Sequence, residues 1–216
     1  AAVLKEQLDI VADLEKMLVS DSRTEELGED VDLDGYRKSQ LALGLIGSMR
    51  NMQSMNYIIQ EIAILFPAQE MELSTETELS RKECIPALRR EGDTARSLVY
   101  TEGQVQMELW YPLTRSILED YVPDYGVRVT LSEEYLKELL GLFAVERGSG
   151  GFSILDTGQG LMQIPSDTER GAEFMECWRG EWEEADGPSS FLGRGRCMGK
   201  SFFLVSEEIP EYGITL

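Results

Sequence analysis

The stretch from Tyr36 to Phe66 reads YRKSQLALGLIGSMRNMQSMNYIIQEIAILF, and how it is read decides where helical structure gives way to sheet. It is an apolar, Met-rich run holding Leu41, Leu45, Met49, Met52, Tyr57, Ile59, Ile62 and Leu65. The run stops at Pro67, which has no N–H to donate and disfavours helical geometry in the residue before it. The expectation is one long helix, or two helices broken near Gly44 and Gly47. Because its apolar residues fall on more than one face, this segment is expected to be a central core helix or an interface helix. Met49, Met52 and Met55, with Tyr57 beyond them, are flexible apolar residues of the kind found in cores and on adaptable binding surfaces. Core is the plainer reading; these four are the candidate interaction residues.

Upstream, Leu4, Leu8, Val11, Leu14 and Leu18 recur at helical spacing among Asp, Glu and Lys, which predicts an amphipathic first helix over 3–18. The acidic stretch from Ser20 to Gly35 that follows reads as a loop. Downstream, 68–93 turns polar, with a short helix expected near Lys82 to Arg90, interrupted at Pro86.

Past Thr94 short apolar runs are punctuated by glycine: Ser97 to Tyr100, Gln104 to Tyr111, Val127 to Leu131, Phe143 to Val145, Phe152 to Leu155, Leu161 to Ile164, Glu173 to Trp178 and Ser201 to Val205. Runs of this length between turn signals predict antiparallel strands. One helix interrupts them, with Ser132 as its cap and Glu133 and Glu134 favourably placed in its first turn. The fold class expected is therefore α+β. An N-terminal helical segment of two or three helices over 1–66 and a polar connector over 67–95 lead to a domain over 96–216. That domain is an antiparallel β-sheet or small barrel with one inserted helix.

With 216 residues, 42% of them hydrophobic, the chain can bury a core without staples. Forty acidic side chains against twenty basic ones give a formal net charge of -20. Such a field repels nucleic-acid phosphates and anionic lipid surfaces, so the partner expected is a protein with a basic face, not nucleic acid or a membrane. The plainer reading of the acidity is solubility alone. No apolar stretch approaches the ~20 residues of a membrane-spanning helix.

Three cysteines, Cys84, Cys177 and Cys197, with no C-x-x-C pair among them, argue for a reducing compartment. The chain opens Ala1-Ala2 without an initiator methionine, as after removal of a targeting peptide or after trimming. Cytoplasm or an organelle interior is the location expected.

The chain contains no histidine, which removes Ser-His-Asp and Cys-His sites, histidine general bases and most catalytic zinc sites. Carboxylates, lysine, tyrosine, a lone cysteine or an oxygen-ligated metal are left for catalysis.

Four motifs carry possible chemistry. Asp30, Asp32 and Asp34 followed by Gly35 spell the first half of a calcium loop, in which alternate carboxylates wrap a hard cation and the glycine permits the turn. Its twelfth position, which should be a bidentate Glu, is Leu41, and its eighth is Arg37; a solvated acidic loop capping the next helix is the competing reading. No other cofactor is expected.

Ile154-Leu155-Asp156-Thr157-Gly158 carries the D-T-G signature of aspartic proteases, which need two such aspartates sharing a proton and hence a dimer here. Gln159 departs from that signature, and the same residues fit the turn of a β-hairpin. The stretch from Gly193 to Ser201 misses the phosphate-loop spacing by one residue and runs into the strand-like Phe202-Phe203-Leu204-Val205, so a phosphate loop is rejected. Finally, Trp110, Trp178 and Trp182 either fill a β-core or line a ligand cavity.

The function expected is that of a non-catalytic acidic interaction or assembly protein docking on a larger complex. The alternatives are a β-barrel module for an apolar ligand such as a lipid or pigment, and an aspartic-type hydrolase acting through Asp156 as a dimer. Catalysis is the less favoured class.

Overall fold

The computed structural model describes residues 2–29, 34–81, 96–101, 103–111, 123–141, 153–157, 161–164, 190–197 and 200–216. N-terminal helices lead into antiparallel sheet with a helix inserted, so the class is α+β. Contacts divide the chain into two compact units, one of residues 6–133 and one of 1–5 with 134–216.

Helix α1 (Ala2–Val19), which belongs to the first unit from residue 6 onward, buries Leu8, Val11, Ala12, Leu14 and Leu18. The next element is a second helix, α2 (Ser22–Glu29), where a loop was expected. Its signal is Asp21, whose carboxylate accepts the backbone N–H of Arg23 at 2.9 Å and so caps the first turn. Only Leu27 supplies an apolar anchor, too little for periodicity to register.

Helix α3 (Gly35–Met55) is capped in the same way by Asp34, which accepts from the N–H groups of Tyr36 and Arg37 at 2.9 and 3.0 Å. It runs unbroken through Gly44 and Gly47 and buries Leu41, Ala42, Leu45, Ile46 and Met49 on one face. It does not continue to Phe66. Asn56 turns extended, its side chain donates to the Met52 carbonyl at 2.7 Å, and the N–H of Ile59 returns to the Asn56 carbonyl.

Ile59–Phe66 is strand β1, which corrects the helix expected there and moves the end of the helical segment back to Met55. β1 lies between two other strands and is buried on both faces, so its sequence is nearly continuous in apolar residues. The β-branched Ile59, Ile62 and Ile64 favour the pleated form. The polar segment after it is likewise not a plain connector, because it holds the hairpin of β2 (Met71–Ser74) and β3 (Glu78–Arg81). Ser74 Oγ closes that hairpin by accepting from the N–H groups of Glu76 and Thr77. The helix expected at Lys82 to Arg90 lies outside the described residues.

Strands β4 (Arg96–Thr101), β5 (Gln104–Tyr111) and β6 (Tyr125–Leu131) complete a six-stranded antiparallel sheet in the order β3-β2-β1-β6-β5-β4. Strand alternation gives it two unlike faces. Ile62, Ile64, Phe66, Leu73, Met107, Val127 and Val129 form the apolar core face, on which α3 packs over β1 and β2. Tyr125 belongs to this face: its ring stacks on Tyr111 at 4.8 Å and its hydroxyl donates to the Val19 carbonyl.

In the second unit, helix α4 (Glu133–Gly141) buries Leu136, Leu139 and Leu140, and the Leu140 carbonyl accepts from Ser153 Oγ at 3.1 Å. The sheet there runs β8-β7-β11-β10-β9, with β7 (Ser153–Asp156), β8 (Leu161–Ile164), β9 (Ser190–Cys197), β10 (Lys200–Ile209) and β11 (Ile214–Thr215). Pro210 to Gly213 turn β10 into β11, with Gly213 at the positive φ of 63° that a side chain would disfavour. The expected strands at Phe143 to Val145 and Glu173 to Trp178 lie outside the described residues.

Candidate functional site

Burying one stripe of a helix fixes which of its other apolar residues face water. On α1 the buried stripe leaves Val3, Ile10 and Met17 outside, at 47%, 41% and 61% exposure, although all three are large and apolar. They stand seven residues apart and therefore in one row along the helix. Glu6 lies three residues after Val3 and four before Ile10, and Asp13 is placed alike between Ile10 and Met17. Neighbours at these intervals share a helix face, so the outer face of α1 alternates apolar side chains with carboxylates. Asp13 holds Lys16 at 3.2 Å in a surface pair. In the sequence this ridge shows only as a seven-residue recurrence beside the stronger stripe from Leu4 to Leu18.

On α3, Tyr36 and Leu43 are 75% and 66% exposed. The methionine stripe is split by the helix. Met49 is fully buried and belongs to the core, which removes it as a surface residue, while Met52 is half-buried and Met55 and Tyr57 are exposed.

The cations of this layer are engaged in fixing its helices. Arg23 grips the Asp21 carboxylate at 2.9 and 2.6 Å and reaches Ser48 Oγ on α3 at 3.0 Å. Its hydrogen bond holds the Asp21 carboxyl below the usual carboxylate range, against the smaller opposing effect of burial. Arg37 clasps Glu26 through two bonds of 2.7 Å and lowers its pKa likewise.

The second face of the six-stranded sheet mixes polar and apolar side chains and is largely buried. Glu108 on β5 is hydrogen-bonded by its cross-strand partner Arg128 at 2.7 Å and by the indole N–H of Trp110 at 2.9 Å. Glu61 accepts from Ser74 Oγ on the neighbouring strand. Trp110 packs with Ala63 and Leu65 and covers Gly126, so its ring is spent on the sheet. Trp178 and Trp182 lie outside the described residues.

Of the calcium candidates, Asp30 and Asp32 lie outside the described residues. Asp34 uses its carboxylate to cap α3, and Leu41 is buried within that helix. Among the described residues no group of three or more His, Cys, Asp or Glu stands close enough to hold a metal ion.

Asp156 ends β7, paired with Leu161 of β8 on one side and Thr215 of β11 on the other. Asp156 and Thr157 of the D-T-G motif thus stand at the end of a strand paired antiparallel with β8, and Gly158 lies outside the described residues. The Gly193 to Ser201 segment is also a hairpin, β9 to β10, with Arg194 opposite Phe203 and Arg196 opposite Ser201. No helix follows it to hold a phosphate.

These features define an α+β protein whose described side chains meet in packing and capping contacts, with apolar rows left on the outside of two helices. Neither a known protein-family model nor a curated protein matches the chain. Among the described residues no helix is long and apolar enough to cross a membrane.

Proposed function

We propose that this chain is a non-catalytic interaction protein that docks on a protein partner through the outer face of α1. The observation that carries the reading is the row Val3, Ile10, Met17, exposed and interleaved with Glu6 and Asp13. Large apolar side chains aligned on one helix face are the anchors of helix-in-groove recognition. The carboxylates between them select a groove rimmed by lysine or arginine, in keeping with a net charge of -20.

The test compares three proteins on native lysate: the wild type, Ile10→Asp/Met17→Asp, and Met55→Asp/Tyr57→Asp. All four positions are exposed, so the fold should survive, as circular dichroism and melting would show. The expected result is a partner with a basic contact surface, retained by the wild type and the α3 variant and lost by the α1 variant. Its binding to the purified wild type should weaken as salt rises. A partner lost only on substitution of Met55 and Tyr57, or one indifferent to both pairs, overturns the assignment to α1.

A further inference from the structure

The outer row of α3 runs Tyr36, Gln40, Leu43, Gly47, Arg50, Ser54, alternating steps of four and three residues, and every member is exposed. That is the spacing of a helix–helix seam. Among the described residues Arg50 of this row donates to the Thr75 carbonyl at 3.4 Å and Gln40 to the Tyr36 hydroxyl at 2.9 Å, while Leu43 and Gly47 stay exposed.

Three observations bear on what covers it. Tyr36 and Leu43 are large side chains left mostly in water. Gly47 sits mid-helix, where glycine is disfavoured relative to alanine, yet a Cβ there would meet nothing within 4 Å. Gly44, by contrast, has a local reason, since its Cβ would stand 3.1 Å from the Arg23 guanidinium. Lastly, no acidic residue occurs from Gly35 to Gln60, in a chain with forty of them.

We propose that the outer face of α3 packs against the same face of a second copy of this chain, antiparallel, about a two-fold axis midway between Leu43 and Gly47. The row is self-complementary in that register. Leu43 of each copy meets Gly47 of the other, Tyr36 meets Ser54, and Gln40 meets Arg50, so a large or long side chain opposes a small or complementary one at each level. Glycine at 47 lets the backbones approach and receives the leucine. The charge pattern favours the same occupant: two strongly acidic molecules repel least where the facing helices themselves carry no carboxylates. The row spans 18 residues, about 27 Å of helix, a contact at the small end of specific interfaces, so the dimer should be weak, with a dissociation constant on the order of 100 µM.

Sedimentation equilibrium of the purified chain across protein and salt concentration tests this, alongside Leu43→Asp, Gly47→Ala and Ile10→Asp/Met17→Asp. The wild type should dimerise, and more tightly in higher salt because salt screens the repulsion between the two bodies. Leu43→Asp should weaken the dimer at least tenfold at unchanged helicity. Gly47→Ala should raise the melting temperature of the monomer while weakening the dimer several-fold, two effects that a merely structural role for this position would not separate. The α1 variant should dimerise as the wild type does, so the failure of α1 docking and of this contact are read separately. A monomer at millimolar concentration in high salt overturns the proposal, as does a dimer indifferent to Leu43→Asp or one that loosens with salt.

Discussion

The indole of Trp110 lies directly over Gly126, its cross-strand partner, so closely that a Cβ on the glycine would stand 2.4 Å from Cε3 of the ring. Glycine weakens a strand by leaving nothing to pack, and here a tryptophan from the neighbouring strand fills the space. Gly126→Ala should therefore destabilise the protein by about 1–3 kcal/mol, the usual cost of overpacking a rigid core. Urea unfolding with an unchanged m-value checks it.

Gly28 on α2 is in the same position against Tyr125: a Cβ would meet Cδ1 of the ring at 2.4 Å. Gly28→Ala should cost about 1–3 kcal/mol even though alanine is the better helix former. At Gly44 the obstacle is the movable end of Arg23, so Gly44→Ala should be close to neutral. Thermal melts of the two variants side by side should show this contrast; equal effects would mean that α2 does not press on Tyr125 as described.

Glu108 is nearly inaccessible and Arg128 mostly so. Removing one partner of such a pair strands the other charge, at a cost of about 3–5 kcal/mol, whereas replacing both with apolar residues is far milder. Glu108→Leu should thus be much more damaging than Glu108→Leu/Arg128→Met, measured as a double-mutant cycle in urea. Additive losses would show that the two side chains are not coupled.

Asp21 has a lowered pKa in the folded chain because Arg23 hydrogen-bonds its carboxylate. Its stabilisation is thus fully present above the unfolded aspartate pKa, about 3.9, and is lost as pH falls through the lower folded value. Asp21→Asn keeps a side-chain oxygen to cap α2 but loses the charged grip on Arg23. Relative to the wild type, the variant should be less stable at neutral pH by up to about 1 kcal/mol, and the difference should close in acid. A gap that stays constant from neutral pH to below pH ~3 would rule out the ion pair as its source.

Local pattern was enough wherever an element's partners do not alter its period. Gln104–Tyr111 and Leu161–Ile164 are strands over the residues their alternation and turn signals mark out, and α1 extends only one residue beyond the expected 3–18 at either end. The β1 segment was misread because a strand enclosed on both faces loses its alternation, and spaced isoleucines then imitate a helix. α2 gives no periodic signal, because a cap and a single leucine hold it and neither makes a period.

The candidate site was legible only in part. Nothing in the methionine spacing distinguishes Met49, inside, from Met55, outside, because that depends on where the sheet meets the helix.

By itself the sequence determined the α+β class, the absence of imidazole chemistry, the acidic field and the acidic cap that starts α3, since each is a property of composition or of neighbours along the chain. Only the tertiary structure decided that Ile59 to Phe66 is the strand between β2 and β6, and that Val3, Ile10, Met17, Tyr36 and Leu43 are left in water. A helix offers its apolar residues to every side equally. Which of them remain outside is settled by the one direction from which distant parts of the chain come to cover it.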